Sequence, residues 1–71
     1  MAVTAKQLVK ALQKKRFALD NQTGSHAIYK NENSVRVVVP IHGKKDIGPG
    51  LLRQILNDAN ISLEELEKLI R

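Results

Sequence analysis

The stretch HAIYKNENSVRVVVP, residues 26–40, decides the fold of this chain because it predicts two β-strands joined by a short polar connection. Residues 26–30 and 35–39 are rich in strand-forming side chains, and the four residues between them make a loop of hairpin length. Pro40 has no N–H to donate to a sheet and marks the end of the second strand. The stretch therefore predicts an antiparallel hairpin.

A further strand precedes this hairpin. Phe17, Leu19 and Asn21 alternate with their neighbours in a short strand-like run. Residues 21–25 then supply polar side chains and Gly24 for a chain reversal. The three strands predict an antiparallel meander.

The N-terminal segment predicts an amphipathic helix over residues 4–15, with Thr4 as its N-cap. The apolar stripe consists of Ala5, Leu8, Val9 and Leu12. The lysines lie mainly off this stripe, and a solvated helix face explains them better than an RNA contact does. A role for these lysines in RNA binding is secondary at this point.

Two helices are expected after a basic loop over residues 41–48. The first begins near Pro49 and ends at Asn60, a residue that tolerates the left-handed C-terminal position. Ser62 and Glu65 have the spacing of a capping box for a short terminal helix. The order predicts an α+β fold, α-β-β-β-α with a short C-terminal helix, in which helices cover one face of a three-stranded antiparallel sheet.

Length and composition limit the functions that this chain can have. Its 71 residues form one domain over positions 1–71, and without cysteine it has neither disulfides nor thiolate metal sites. Twelve Lys and Arg against seven Asp and Glu give a net charge of +5, which favours a polyanion or an acidic protein as partner. With no signal-peptide or transmembrane pattern, we expect no membrane association and a cytoplasmic location.

The alternation of side chains in a strand decides where His26 points. His26, Ile28 and Lys30 share one face, and Ala27 and Tyr29 share the other. We favour Tyr29 in the core, because Lys30 is costly to bury and a tyrosine can leave its hydroxyl at an edge. His26 then faces outward; with Ile28 in the core it would face inward. On the residues alone, a surface or structural histidine is more common than a catalytic one.

Three motifs then follow in order: GSHAIY at 24–29, VPIH at 39–42 and PGLLRQIL at 49–56. In these motifs and their separations the chain resembles the HicA toxins over essentially its whole length. The resemblance implies a double-stranded-RNA-binding-domain-like fold and an mRNA-cleaving toxin that blocks translation. It also implies neutralisation by a HicB antitoxin and a catalytic role for His26.

Two positions depart from the pattern of that family. Many HicA sequences have glycine before the aromatic residue that opens the first strand, whereas Arg16 stands before Phe17 here. Residues 20–23 also lack the basic residue often found before Gly24.

RNA cleavage fits these residues chemically. The 2′-hydroxyl of RNA is the nucleophile, so the protein must accept a proton, donate one and stabilise negative charge. Imidazole ordinarily titrates near physiological pH and suits either transfer, while Ser25 or the N–H groups around Gly24 would orient phosphate. The candidates for RNA phosphate contacts are Lys30, Arg36, Lys44, Lys45 and Arg53. We expect no metal or other cofactor, and we assign His42 to anchoring its loop.

Two other classes of function stay open at this point. The chain could be a non-catalytic RNA-binding module in which His26 contacts a 2′-hydroxyl, or a basic domain that binds only an acidic protein. A metal hydrolase is unsupported, because the two histidines have no carboxylate at a recognisable ligand spacing. RNA cleavage in the presence of EDTA separates the nuclease from the other two.

Overall fold

A computed structural model of the protein describes residues 2–41 and 46–71. The elements are α1 (Ala5–Lys14), β1 (Ala18–Thr23), β2 (His26–Lys30), β3 (Arg36–Pro40), α2 (Pro49–Ala59) and α3 (Leu63–Leu69). This order confirms the predicted α-β-β-β-α arrangement with a short terminal helix, and with it the α+β, double-stranded-RNA-binding-domain-like fold. Within the described residues, no helix is long and apolar enough to cross a bilayer.

The sheet is an antiparallel meander with strand order β1-β2-β3. In β2, Ala27 and Tyr29 are buried, as are Val37 and Val39 in β3, and these side chains join the core with the helices. His26 lies on the opposite face and is exposed. The expectation that Tyr29 is the core aromatic and that His26 points outward is therefore confirmed.

Two strand predictions need correction. The alternation in β1 is interrupted, because the register shifts between Leu19 and Asn21 and leaves Asp20 as a bulge. The last strand runs one residue later than predicted: Val35 belongs to the turn, where its N–H donates to the Asn31 side chain. Pro40 lies within β3, which tolerates it because β3 is an edge strand.

Helix α1 begins as predicted, with Thr4 as its N-cap. The Thr4 hydroxyl accepts from the Gln7 N–H at 3.2 Å, and the Gln7 side chain accepts from the Thr4 N–H at 3.0 Å, which completes a capping box. The helix ends at Lys14, and the chain leaves through Arg16, whose φ of 68° lies in the left-handed region.

The C-terminal helices also begin and end close to their predicted boundaries. Pro49 opens α2, and Asn60 closes it with a φ of 58°. The Ser62 hydroxyl accepts from the Glu65 N–H at 3.0 Å, so Ser62 is the N-cap of α3. The predicted capping box is only half formed, because the Glu65 carboxylate pairs instead with Lys15, the C-cap of α1.

Candidate functional site

A two-residue turn, Gly24-Ser25, connects β1 to β2 and presents His26. Thr23 and His26 are directly paired across it. Gly24 has a φ of +58° and Ser25 does not have a positive φ, which is the pattern of a type II′ hairpin turn. A Cβ on Gly24 would meet nothing within 4 Å, so glycine is required here for its conformation and not for space.

Both carbonyl groups of this turn are engaged by neighbouring segments. The Ser25 carbonyl accepts from the N–H of Ile41, the residue that follows β3. The Gly24 carbonyl accepts from the Gln22 side chain at 3.4 Å. These contacts fix the turn against both edge strands.

His26 is the first residue of the central strand, at one end of the open sheet face. It is paired with Thr23 of β1 and with Pro40 of β3. Since paired residues project to the same side of a sheet, the His26 side chain stands between two short neighbours. An exposed imidazole in that position is accessible to a large substrate from the open face.

The rest of the open face is apolar in the middle and basic at the far end. Ile28 is paired with Val38, which is 49% exposed. Lys30 is paired with Arg36, and both are exposed. Lys30 is four residues after His26 in β2, so at about 3.3 Å per residue this basic pair is about 13 Å from His26 along the strand direction.

The structure brings only some of the predicted site residues together. Gly24, Ser25 and His26 form one cluster, and Lys30 and Arg36 share their face at a distance. Arg53 belongs to α2, which packs on the core face of β3, and lines a separate groove of about 420 Å³ between α2 and the start of α3. The other residues with a predicted role lie outside the described residues: His42, Lys44 and Lys45.

Sequence reasoning missed a groove between α1 and the inner face of the β1–β2 edge. Its walls carry Lys6, Lys10 and Gln13 from the helix and Gln22 from β1, and its volume is about 600 Å³. The i, i+4 spacing of the two lysines was a visible signal. Their position beside Gln22 of β1 depends on how α1 packs on the sheet, which the spacing does not reveal.

The described residues offer no cluster of metal-binding side chains. Within 2–41 and 46–71, no three His, Cys, Asp or Glu side chains come together in a group able to hold one. The groups that come together at the turn are the His26 imidazole, the Ser25 hydroxyl and the backbone N–H groups of Gly24 and Ser25.

The protein is a small α+β domain of the double-stranded-RNA-binding-domain-like class, with an exposed imidazole at one end of its open sheet face. The family model described as "HicA toxin of bacterial toxin-antitoxin" matches residues 5–61. The chain therefore belongs to the HicA toxin family, the toxin side of bacterial toxin–antitoxin systems, which implies a cognate antitoxin. No curated protein matches this sequence.

Proposed function

We propose that this HicA-family toxin is a metal-independent endoribonuclease that cleaves mRNA in the cytoplasm and so blocks translation. The observation that carries the proposal is the position of His26, exposed on the open face directly after a rigid two-residue turn. A substrate as large as RNA needs an accessible catalytic group on a rigid support. His26 belongs to the central strand of the sheet, which is held by a neighbouring strand on each side.

The reaction is a transesterification followed by release of the 5′-hydroxyl product. The 2′-oxygen forms a bond to phosphorus as its proton leaves, the bond from phosphorus to the 5′-oxygen breaks, and that oxygen takes a proton. The product strand ends in a 2′,3′-cyclic phosphate. His26 performs one of the two proton transfers, and Ser25 and the N–H groups around Gly24 orient the phosphate oxygens. Water completes the other transfer.

Positive charge supplies affinity for RNA. Lys30 and Arg36 are exposed on the same face as His26, and Lys44 and Lys45 add positive charge to the sequence that follows β3. Arg53 joins them as a contact for an RNA segment that passes around the domain. Each acts through phosphate and contributes little sequence preference.

The partner that we propose for the open face is a HicB-like antitoxin with an acidic surface. Ile28 and Val38 offer an apolar centre for such an interface, and the basic pair Lys30 and Arg36 forms part of its rim. An antitoxin seated there covers His26 and excludes RNA. The antitoxin then inhibits the toxin by steric occlusion of its site.

Incubation of the purified protein with mRNA in EDTA tests the nuclease. We expect shortened products with wild type and with Thr23→Ala, the exposed neighbour paired with His26, and none with His26→Ala. Circular dichroism checks that both variants are folded. Cleavage by a folded His26→Ala protein removes the catalytic assignment. RNA that is bound but never cut by wild type instead supports the non-catalytic RNA-binding module.

A further inference from the structure

We infer that the groove between α1 and the β1–β2 edge holds the single-stranded RNA segment next to the scissile phosphate. The groove was described above by its walls, Lys6, Lys10, Gln13 and Gln22. The inference rests on the proposed nuclease function and deepens it, because it names the path of the substrate and the residues that hold it.

The groove and the candidate site meet at the same turn. Gln22 lines the groove, and its side chain donates to the Gly24 carbonyl at 3.4 Å. Ile41 lines it from the other side, and its N–H donates to the Ser25 carbonyl. A strand lying in the groove therefore needs to pass only over this two-residue turn to reach His26.

The three lysines of α1 and the lysine at its C-cap divide into two pairs with different roles. Lys14 donates to the Leu69 carbonyl at 2.6 Å, and Lys15 pairs with Glu65 at 2.8 Å, so both are engaged by α3. Lys6 and Lys10 are exposed and make no ion pair with the described residues. One pair is structural, and the other presents two charges, one helical turn apart, to an anionic ligand.

The remaining groups of the groove suit a nucleotide chain. Gln13 of α1 and Gln22 of β1 both line it, and a glutamine amide can both donate and accept hydrogen bonds. Tyr29 lies on the floor of the groove, and its hydroxyl makes no hydrogen bond within the described residues. Since every buried side-chain oxygen or nitrogen of those residues has a partner, the Tyr29 hydroxyl is not buried and reaches solvent. Phosphates thus meet cations while bases and 2′-hydroxyls meet neutral polar groups.

The size of the groove favours a single strand over a duplex. The groove has a volume of about 600 Å³ and is open to solvent, and the whole domain measures only 27 × 25 × 20 Å. A duplex can touch the rim of such a groove and cannot enter it. One strand can lie along it with its backbone beside the lysines.

Binding of a labelled 12-nucleotide single-stranded RNA to the non-cleaving His26→Ala protein is the central test. Lys6→Ala with Lys10→Ala should weaken binding about 10-fold and lower the slope of log K against log salt by about 1.4. The matched control is Lys68→Ala with Arg71→Ala, which removes the same charge from the exposed C-terminal end and should leave affinity within twofold. Tyr29→Phe, which keeps the ring in the core, should weaken binding about 3-fold.

Several outcomes overturn the inference. Equal loss in the two double variants means that general charge, not the groove, binds RNA. A duplex of the same sequence that competes better than the single strand excludes the single-strand path. If Lys6→Ala with Lys10→Ala weakens binding of the antitoxin but not of RNA, the groove belongs to the protein partner.

The nuclease proposal fails separately from this one. If wild type cleaves RNA and the Lys6, Lys10 variant binds and cleaves as wild type does, the groove is wrong and the nuclease stands. If wild type cleaves nothing while that variant still loses affinity, the groove is an RNA site and the nuclease is wrong.

Discussion

The ammonium group of Lys15 lies 2.8 Å from a carboxylate oxygen of Glu65, and this ion pair joins the end of α1 to α3. Leu66, next to Glu65 in α3, is fully buried in the core. The family model ends at residue 61, before α3 begins. The terminal helix is nevertheless an integral part of this domain.

Replacement of Leu66 by Ala should destabilise the protein by about 2 to 5 kcal/mol, because it leaves a cavity where the side chain was buried. Lys15→Ala should cost under about 1 kcal/mol, since the ion pair is partly exposed to solvent. Urea denaturation measures both. Comparable losses in the two variants would show that the ion pair contributes as much to the docking of α3 as the buried leucine does.

Arg16→Gly should stabilise the protein by about 1 kcal/mol. Arg16 has a left-handed φ of 68°, which a side chain with a Cβ adopts at a cost and glycine does not. Arg16→Ala is the matched control, because it removes the same charge and keeps the Cβ. A thermal melt in which both variants shift equally would assign the effect to charge instead of backbone conformation.

Two Gly→Ala replacements should shift stability in opposite directions. Gly24→Ala should cost about 1 to 2 kcal/mol through its φ of +58°, whereas Gly50→Ala in α2 should gain about 0.5 kcal/mol from helix propensity. Neither new Cβ has a neighbour within 4 Å, so crowding does not contribute. Denaturant titration measures both. Cleavage by folded Gly24→Ala should also fall, and unchanged cleavage would mean that this turn does not position His26.

Val38→Glu should weaken antitoxin binding at least 10-fold, because it places a carboxylate at the apolar centre of the open face against an acidic partner. Leu63→Glu is the control, since Leu63 is 51% exposed but lies at the start of α3. Titration calorimetry gives both affinities, and hydrogen exchange should show protection of β2 in the complex. A tight complex that leaves His26 exposed and still admits RNA would exclude inhibition by occlusion.

Lys44→Ala with Lys45→Ala should weaken RNA binding and flatten its salt dependence, because fewer counterions are released when fewer phosphates are neutralised. Affinity is measured at several salt concentrations in the His26→Ala protein. Lys68→Ala with Arg71→Ala again provides the equal change in charge. An unchanged slope would exclude Lys44 and Lys45 from the RNA-binding surface.

The sequence alone determined the features that depend on a few neighbouring residues. Thr4 and Ser62 are N-caps because their hydroxyls accept from N–H groups three residues ahead, and Asn60 ends α2 because it tolerates a left-handed φ. The outward direction of His26 followed from strand alternation and the cost of burying Lys30.

The tertiary structure alone decided what depends on contacts distant in sequence. It placed the bulge at Asp20, since an edge strand can shift its register where no second neighbour fixes it. It separated Arg53 from the open face by packing α2 on the other side of the sheet. It also determined which lysine meets a carboxylate and which borders a groove: Lys15 reaches Glu65 only because the end of α1 packs beside α3, whereas Lys6 lines a groove together with Gln22 of β1.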